Sequence, residues 1–313
     1  MSNAIATTNQ DLDDSMILGH LFFYTIGELH ISGQELADIF TKNGLSSSYV
    51  KTINPVDAYR RATSDAKQTL SIQYRGQTKK AKIEVDEVAC NATEVVRAVG
   101  RKVVDDSFEE LSYETVGKII FDRKTQDVSF VYDGRFSHEY PYDMILNEAV
   151  LRFENWTKYH TKETVRNVIN TVLTDLHPVN LMPSGMCKFI PNRNKADLYS
   201  LQGAVRALTE FGEVSLFESV PVVDTSEMRR TVKNAASTEI ENEAALFIQE
   251  MQAVLQQKAD LSSRAVASYV QKSQELEKKA QEYESLLGIY MGYVRQQIAE
   301  VYRMATENQR VAI

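Results

Sequence analysis

The sequence predicts an α+β protein with three parts: an antiparallel-sheet N-terminal unit, a small α+β middle unit, and a long C-terminal coiled-coil-like helix or helical hairpin. Three observations carry this. Residues 69–132 alternate polar and apolar side chains with a period of two, as strands with one solvated face do. Residues 142–223 switch between a 3.6-residue period and short apolar runs. From Asp224 to Leu287 neither Gly nor Pro occurs, and these are the usual helix breakers. The boundaries that follow are 1–14, a polar, acidic, flexible tail; 15–134, the sheet-bearing unit; 135–223, the middle unit; and 224–313, the long helix.

Ile17 to Ile26 is short, apolar and aromatic, which fits a buried strand. Ser32 and Glu35 make a capping box, each side chain satisfying the other's free N–H. A helix follows through Leu36, Ile39 and Phe40 and stops at Gly44. Ser46 to Lys51 predicts a second short helix. Asn54 caps a third, with Pro55 at its first position. Helix, tight turn and short helix is the outline of a helix-turn-helix. On that reading Arg60, Arg61, Arg75, Lys79, Lys80 and Lys82 are the candidate phosphate contacts. The middle helix carries a single basic residue, so packing of three helices on a strand is the preferred reading.

Strands are predicted from Leu70 through Tyr74, Ile83 through Cys90, Glu94 through Val104, Val116 through Asp122 and Asp127 through Tyr132, giving an antiparallel sheet of four or five strands. In the middle unit, Tyr142 to Tyr159 and Thr161 to Leu176 read as helices, and Pro178 ends the second. Two short strands around Pro183-Ser184-Gly185, a helix from Ala196 to Phe211 and a strand from Val214 to Val222 complete an outline that resembles half of a ferredoxin-like arrangement.

Asp224, Thr225 and Ser226 are good N-cap residues for the final segment. Its apolar residues recur at three-four spacing. Ile240, Phe247, Met251 and Val254 mark one run, and Leu276, Tyr283, Leu287, Tyr290 and Val294 mark a second. So narrow a stripe is a coiled-coil seam, and it predicts self-association. Unbroken, the helix would extend roughly 120 Å at 1.5 Å per residue. The polar stretch Gln256 to Arg264 is the expected place for a hairpin. Gly288 and Gly292 predict close backbone approach, with Tyr283, Tyr290, Tyr293 and Tyr302 packed around them.

Composition narrows the function. With 313 residues, 43% hydrophobic and 25% charged, the chain has the makings of an ordinary core. A net charge of −8 disfavours a protein whose task is to coat nucleic acid. No apolar run is long enough to span a bilayer. The two cysteines, Cys90 and Cys187, read as small core residues in a reducing compartment. The five histidines read as surface or helix-end residues, and none pairs with another at ligand spacing. Asp105, Asp106, Glu109 and Glu110 form an acidic cluster, read as a solvated loop. No phosphate-binding glycine motif or nucleophile elbow occurs. No cofactor, metal or catalytic residue is therefore expected.

Four stretches carry a resemblance: Gly19 to Tyr24 (GHLFFY), Asp57 to Ser64 (DAYRRATS), MPSG with a following FIP, and Val220 to Glu227 (VPVVDTSE). Through them the chain resembles an uncharacterised family of phage, prophage and bacterial proteins. The resemblance implies a mobile-element origin and a cytoplasmic location, in the host cytoplasm if phage-encoded. It implies no activity. The function expected is a non-enzymatic, self-associating interaction protein that binds itself and another protein, binding or blocking a host protein if phage-encoded, and does not enter membranes. The alternative is a DNA-binding accessory protein using the helix-turn-helix-like region.

Overall fold

The computed structural model describes residues 13–104, 110–133, 142–182, 187–256 and 263–311. Strand β1 (Ile17–Thr25) and the short β2 (His30–Ser32) precede helices α1 (Gly33–Lys42) and α2 (Pro55–Ser64). Strands β3 (Gln68–Tyr74), β4 (Gln77–Cys90), β5 (Glu94–Val104), β6 (Glu110–Asp122) and β7 (Val128–Tyr132) follow. Then come α3 (Tyr142–Lys158), β8 (Tyr159–Thr161), α4 (Lys162–Asp175), β9 (Val179–Asn180), β10 (Lys188–Pro191), α5 (Lys195–Ala207) and β11 (Leu216–Val223). Three helices end the chain: α6 (Ser226–Gln256), α7 (Ser263–Leu287) and α8 (Gly292–Val311).

Two compact units result, and neither is one stretch of sequence. A sheet unit takes Glu28–Asp38 and Ser47–Arg166; a helical unit takes Met1–Gly27, Ile39–Ser46 and Asn167–Ile313. The packing units thus cut across the three consecutive segments read from the sequence.

In the sheet unit, β3 to β7 form an antiparallel meander in sequence order. Ala81, Ile83 and Val85 point from β4 into the core, while Lys82, Glu84 and Asp86 take the other face. Tyr59 of α2 stacks on Phe121 of β6, and both rings meet Phe153 of α3. The buried Tyr59 hydroxyl donates to the carbonyl of Ile119 at 2.8 Å. The local signals hold. Asn54 caps α2 by accepting from the N–H of Val56, and Ser32 and Glu35 form the reciprocal capping box. The buried Arg97 guanidinium donates to the Arg60 carbonyl and to Thr63 and Ser64, on the C-terminal turn of α2, where the helix dipole favours a cation.

Two expectations fail here. The second helix of the helix-turn-helix is only the 3-10 turn Ser47–Tyr49, too short to lie in a groove. Cys90 is exposed, not a core residue. A bulge interrupts β4 between Glu87 and Ala89, and Val88 within it is exposed as well.

In the helical unit, β1 is central in a four-stranded sheet of order β11-β1-β10-β9, antiparallel to both neighbours. The middle segment therefore does not build its own half-ferredoxin sheet. Its strands β9 and β10, of 2 and 4 residues, are too short to bury a face alone. They are completed by β1, far away in sequence.

The tail is not one rod. Helix α6 ends at Gln256 and α7 begins at Ser263, and the predicted break between them lies mostly outside the described residues. Arg229 donates to the carbonyl of Leu286, Lys279 bridges to Glu239, and Phe247 stacks on Tyr269. Rising numbers on α6 thus meet falling numbers on α7, so the pair is antiparallel. Gly288, at φ +64°, turns the chain toward α8 in a conformation glycine adopts without strain. Arg295 of α8 then reaches back to Glu277 and Glu284 of α7. Neighbouring helices and the sheet together take up the stripe that a coiled-coil partner was expected to cover.

Candidate functional site

The predicted oligomer seam is mostly interior. Ile240, Leu276, Tyr283 and Val294 are buried in one cluster with Leu18, Phe189 and Val222 of the sheet. Phe247 and Met251 are buried in a second, smaller cluster. Leu287 packs against the first as a half-buried residue, and the side chain of Val254 lies outside the described residues. Tyr290 alone among them is freely exposed, at 82%. Of the tyrosines expected around the glycine pair, Tyr290 lies against Gly292, where a Cβ would stand 2.3 Å from its ring, while Tyr283 is interior and Tyr293 faces solvent. Burial of one such apolar side chain is worth about 1.5–3 kcal/mol. A stripe already buried has no such energy left for a partner, so these residues no longer argue for self-association.

Exposed apolar surface lies elsewhere, on β11. Among the described residues β11 has β1 on one side and no strand on the other. The register sets Leu21 opposite Val220, Phe23 opposite Glu218 and Thr25 opposite Leu216, all on one face. Phe23 is 51% exposed, Val220 48% and Leu216 37%. Glu218 stands between them, but Arg206 (3.3 Å) and Gln202 (3.4 Å) of α5 draw its carboxylate aside. Three large apolar side chains are left as a strip beside an open strand edge. Pro221 removes one donor from that edge, which limits pairing to the stretch before it.

The helical unit also contains a polar cleft of about 470 Å³ between α6, α7, the end of α4 and the β9–β10 hairpin. At its floor Lys279, only 10% exposed, donates to Glu239 at 2.7 Å and to Glu243 at 2.9 Å. Glu239 also accepts from the backbone and side-chain nitrogens of Asn180, both at 2.7 Å. Burial works to raise the Glu239 carboxyl, but Lys279 and then Asn180 outweigh it and hold it below the ordinary carboxylate value. Leu246, Phe247 and Leu276 also line the cleft, together with Glu250, Lys272 and Glu275.

His177 on the cleft wall has a left-handed backbone, φ +49°. Its Nδ1 meets Glu282 at 2.6 Å. Glu282 is almost fully buried and also accepts from Arg193 at 2.5 Å and Asn194 at 2.9 Å. Burial pushes its carboxyl up, but the bonds from His177 and Arg193 prevail and keep it low. A carboxylate orienting an imidazole is also how general bases are positioned. The hydroxyl of Thr174 on the same wall, however, is turned to the carbonyl of Asn170 in its own helix. Periodicity alone missed these groups. The available signal was Lys279 and Glu282 interleaved with Leu276, Ala280 and Tyr283, charges on a face otherwise apolar.

The basic residues are scattered. Arg60 is held by Glu87 at 2.8 Å and lies near Asp57. Arg61 is exposed on α2. Arg75 stands at the β3–β4 turn over the ring of Tyr74. Lys79, Lys80 and Lys82 follow along β4, where Lys82 is opposite Lys102. His20 and His160 are buried, contrary to the surface reading; desolvation lowers both imidazoles. Asp105, Asp106, Glu109 and the Pro183-Ser184-Gly185 turn lie outside the described residues. Among the described residues no group of three or more His, Cys, Asp or Glu could hold a metal ion, and no helix is long and apolar enough to cross a membrane.

Fold and site together define a mixed α+β protein with antiparallel sheets and a three-helix tail folded onto one of them. The chain belongs to a family of unknown function, DUF6744, whose model matches residues 17–311. No curated protein and no solved structure matched it.

Proposed function

We propose that this chain is a non-enzymatic interaction protein that associates with a second copy of itself through the strip Phe23, Leu216 and Val220. The supporting observation is that strip, exposed on one face beside the open edge of β11. Exposed apolar side chains gathered beside an unpaired edge mark contact surfaces. The occupant must itself be apolar there, and a second copy related by a two-fold axis presents the same three side chains. The setting is the cytoplasm, the host's if the chain is phage-encoded, where the same edge would also accept an extended segment of another protein. Sedimentation of the full chain and of a Val220→Lys variant tests the reading: it requires a dimer that the lysine disrupts.

The second reading is a DNA-associated accessory protein. It draws on Lys82 standing opposite Lys102 in the sheet, with Lys80 on the same face of β4. Affinity for a DNA duplex that falls steeply with salt, and drops in a Lys80→Ala/Lys82→Ala variant, would favour it.

A further inference from the structure

We infer that the polar cleft of the helical unit binds a small zwitterion with an apolar side chain, the chemistry of a free α-amino acid. Lys188 and Asn180 are direct partners in the β9–β10 ladder. Their side chains therefore leave the same face with Cβ atoms about 5 Å apart. Both line the cleft, and among the described residues Lys188 has no ion-pair or hydrogen-bond partner.

The amide of Asn180 is oriented by its neighbour. Glu239, held ionised, can only accept, so the NH2 must face it. This leaves Asn180 Oδ1 buried with no donor. Glu243 engages Lys279 through Oε1, and its second oxygen has no partner among the described residues. An ammonium lacking an anion thus shares the cleft with two acceptors lacking a protein donor.

A carboxylate and an ammonium on neighbouring atoms answer both needs. An anion alone leaves Asn180 and Glu243 unmatched. A cation alone leaves Lys188 unmatched and brings a further positive charge beside Lys279. Leu246, Phe247 and Leu276 also line the cleft, beside Glu250, Lys272 and Glu275, and these three apolar side chains suit the remainder of the molecule. A volume of about 470 Å³ accommodates such a ligand with a little water.

Calorimetric titration of the full chain with leucine, with isocaproate (the carboxylate alone) and with isoamylamine (the ammonium alone) tests this. Leucine should bind, and each single-charge analogue should bind at least about tenfold more weakly. Lys188→Met should erase the preference for leucine over isoamylamine. Leu246→Glu, at a side chain 60% exposed and outside the core, should weaken leucine by about tenfold or more with unchanged circular dichroism. Absence of leucine binding overturns the inference. So do analogues that bind as tightly as leucine, or a Lys188→Met protein that discriminates like the parent. None of these results bears on dimerisation through β11.

Discussion

The phenol of Tyr283 donates to the backbone carbonyl of His177 across 2.9 Å. The bond ties the C-terminal end of α7 to the left-handed residue that turns the chain from α4 into β9. A residue that a coiled coil would offer to another helix is here fully buried, and burial drives its hydroxyl well above the usual tyrosine value. Tyr283→Phe would keep the ring and leave that carbonyl without its donor. The expected loss is about 1–2 kcal/mol of unfolding free energy with secondary structure intact, read by urea titration. Parental stability in the variant would mean that water replaces the phenol.

Glu239 and Glu282 give the pH dependence a definite sign. Both carboxyls sit below their ordinary 4.5 in the folded chain. The unfolded chain takes up their protons first, so their contribution is complete above about 4.5 and is lost as the pH falls through the folded values. Unfolding free energy should be level from pH 7 to about 5 and decline below that. In Glu282→Gln the acid decline should be shallower. An equal slope in the two proteins would show that Glu282 does not titrate as described.

Gly19 has no room for a methyl group. A Cβ there would stand 2.2 Å from the carbonyl oxygen of Ile190 and 2.4 Å from the ring of Phe189. The carbonyl belongs to β10, which is fixed by pairing with β1. Gly19→Ala should therefore cost about 3 kcal/mol or more. Gly100→Ala is the control: its obstacle is the half-exposed ring of Tyr113, which can swing away. Similar melting temperatures for the two variants would contradict this account of β1.

What the sequence revealed was local. The Ser32–Glu35 box, the Asn54 cap with Pro55 and the alternation of β3 to β7 depend on residues a few positions apart, and they are present. The periodicity of residues 240–294 correctly marked an apolar helical stripe. A period, however, does not say what the stripe faces. The answer lay in Leu18, Phe189 and Val222, brought by strands distant in sequence. The same applies to Glu282, whose partner His177 is 105 residues away. Cys90 was misread because it is the last residue of its strand, and an apolar run does not say where its cover ends. The β11 strip went unnoticed because a strand edge is defined by what fails to pair with it, which no single segment displays.

The basic residues on β4 allow a direct check of the DNA reading. Arg60 is already paired with Glu87, and the chain carries a net charge of −8. Fluorescence anisotropy with a labelled duplex should show no binding at about 50 mM salt, where phosphate contacts are strongest. Binding that weakens by orders of magnitude between about 50 and 200 mM salt would instead establish several phosphate contacts.

The most direct test of self-association is sedimentation equilibrium across the micromolar range, on the full chain and on Val220→Lys. Truncation at Val223 would not serve, because it removes Ile240, Leu276, Tyr283 and Val294 from the core of the helical unit. The account predicts a dimer for the parent and a folded monomer for Val220→Lys, with matching circular dichroism. A parent chain that stays monomeric throughout, or a lysine variant that dimerises as the parent does, would contradict it.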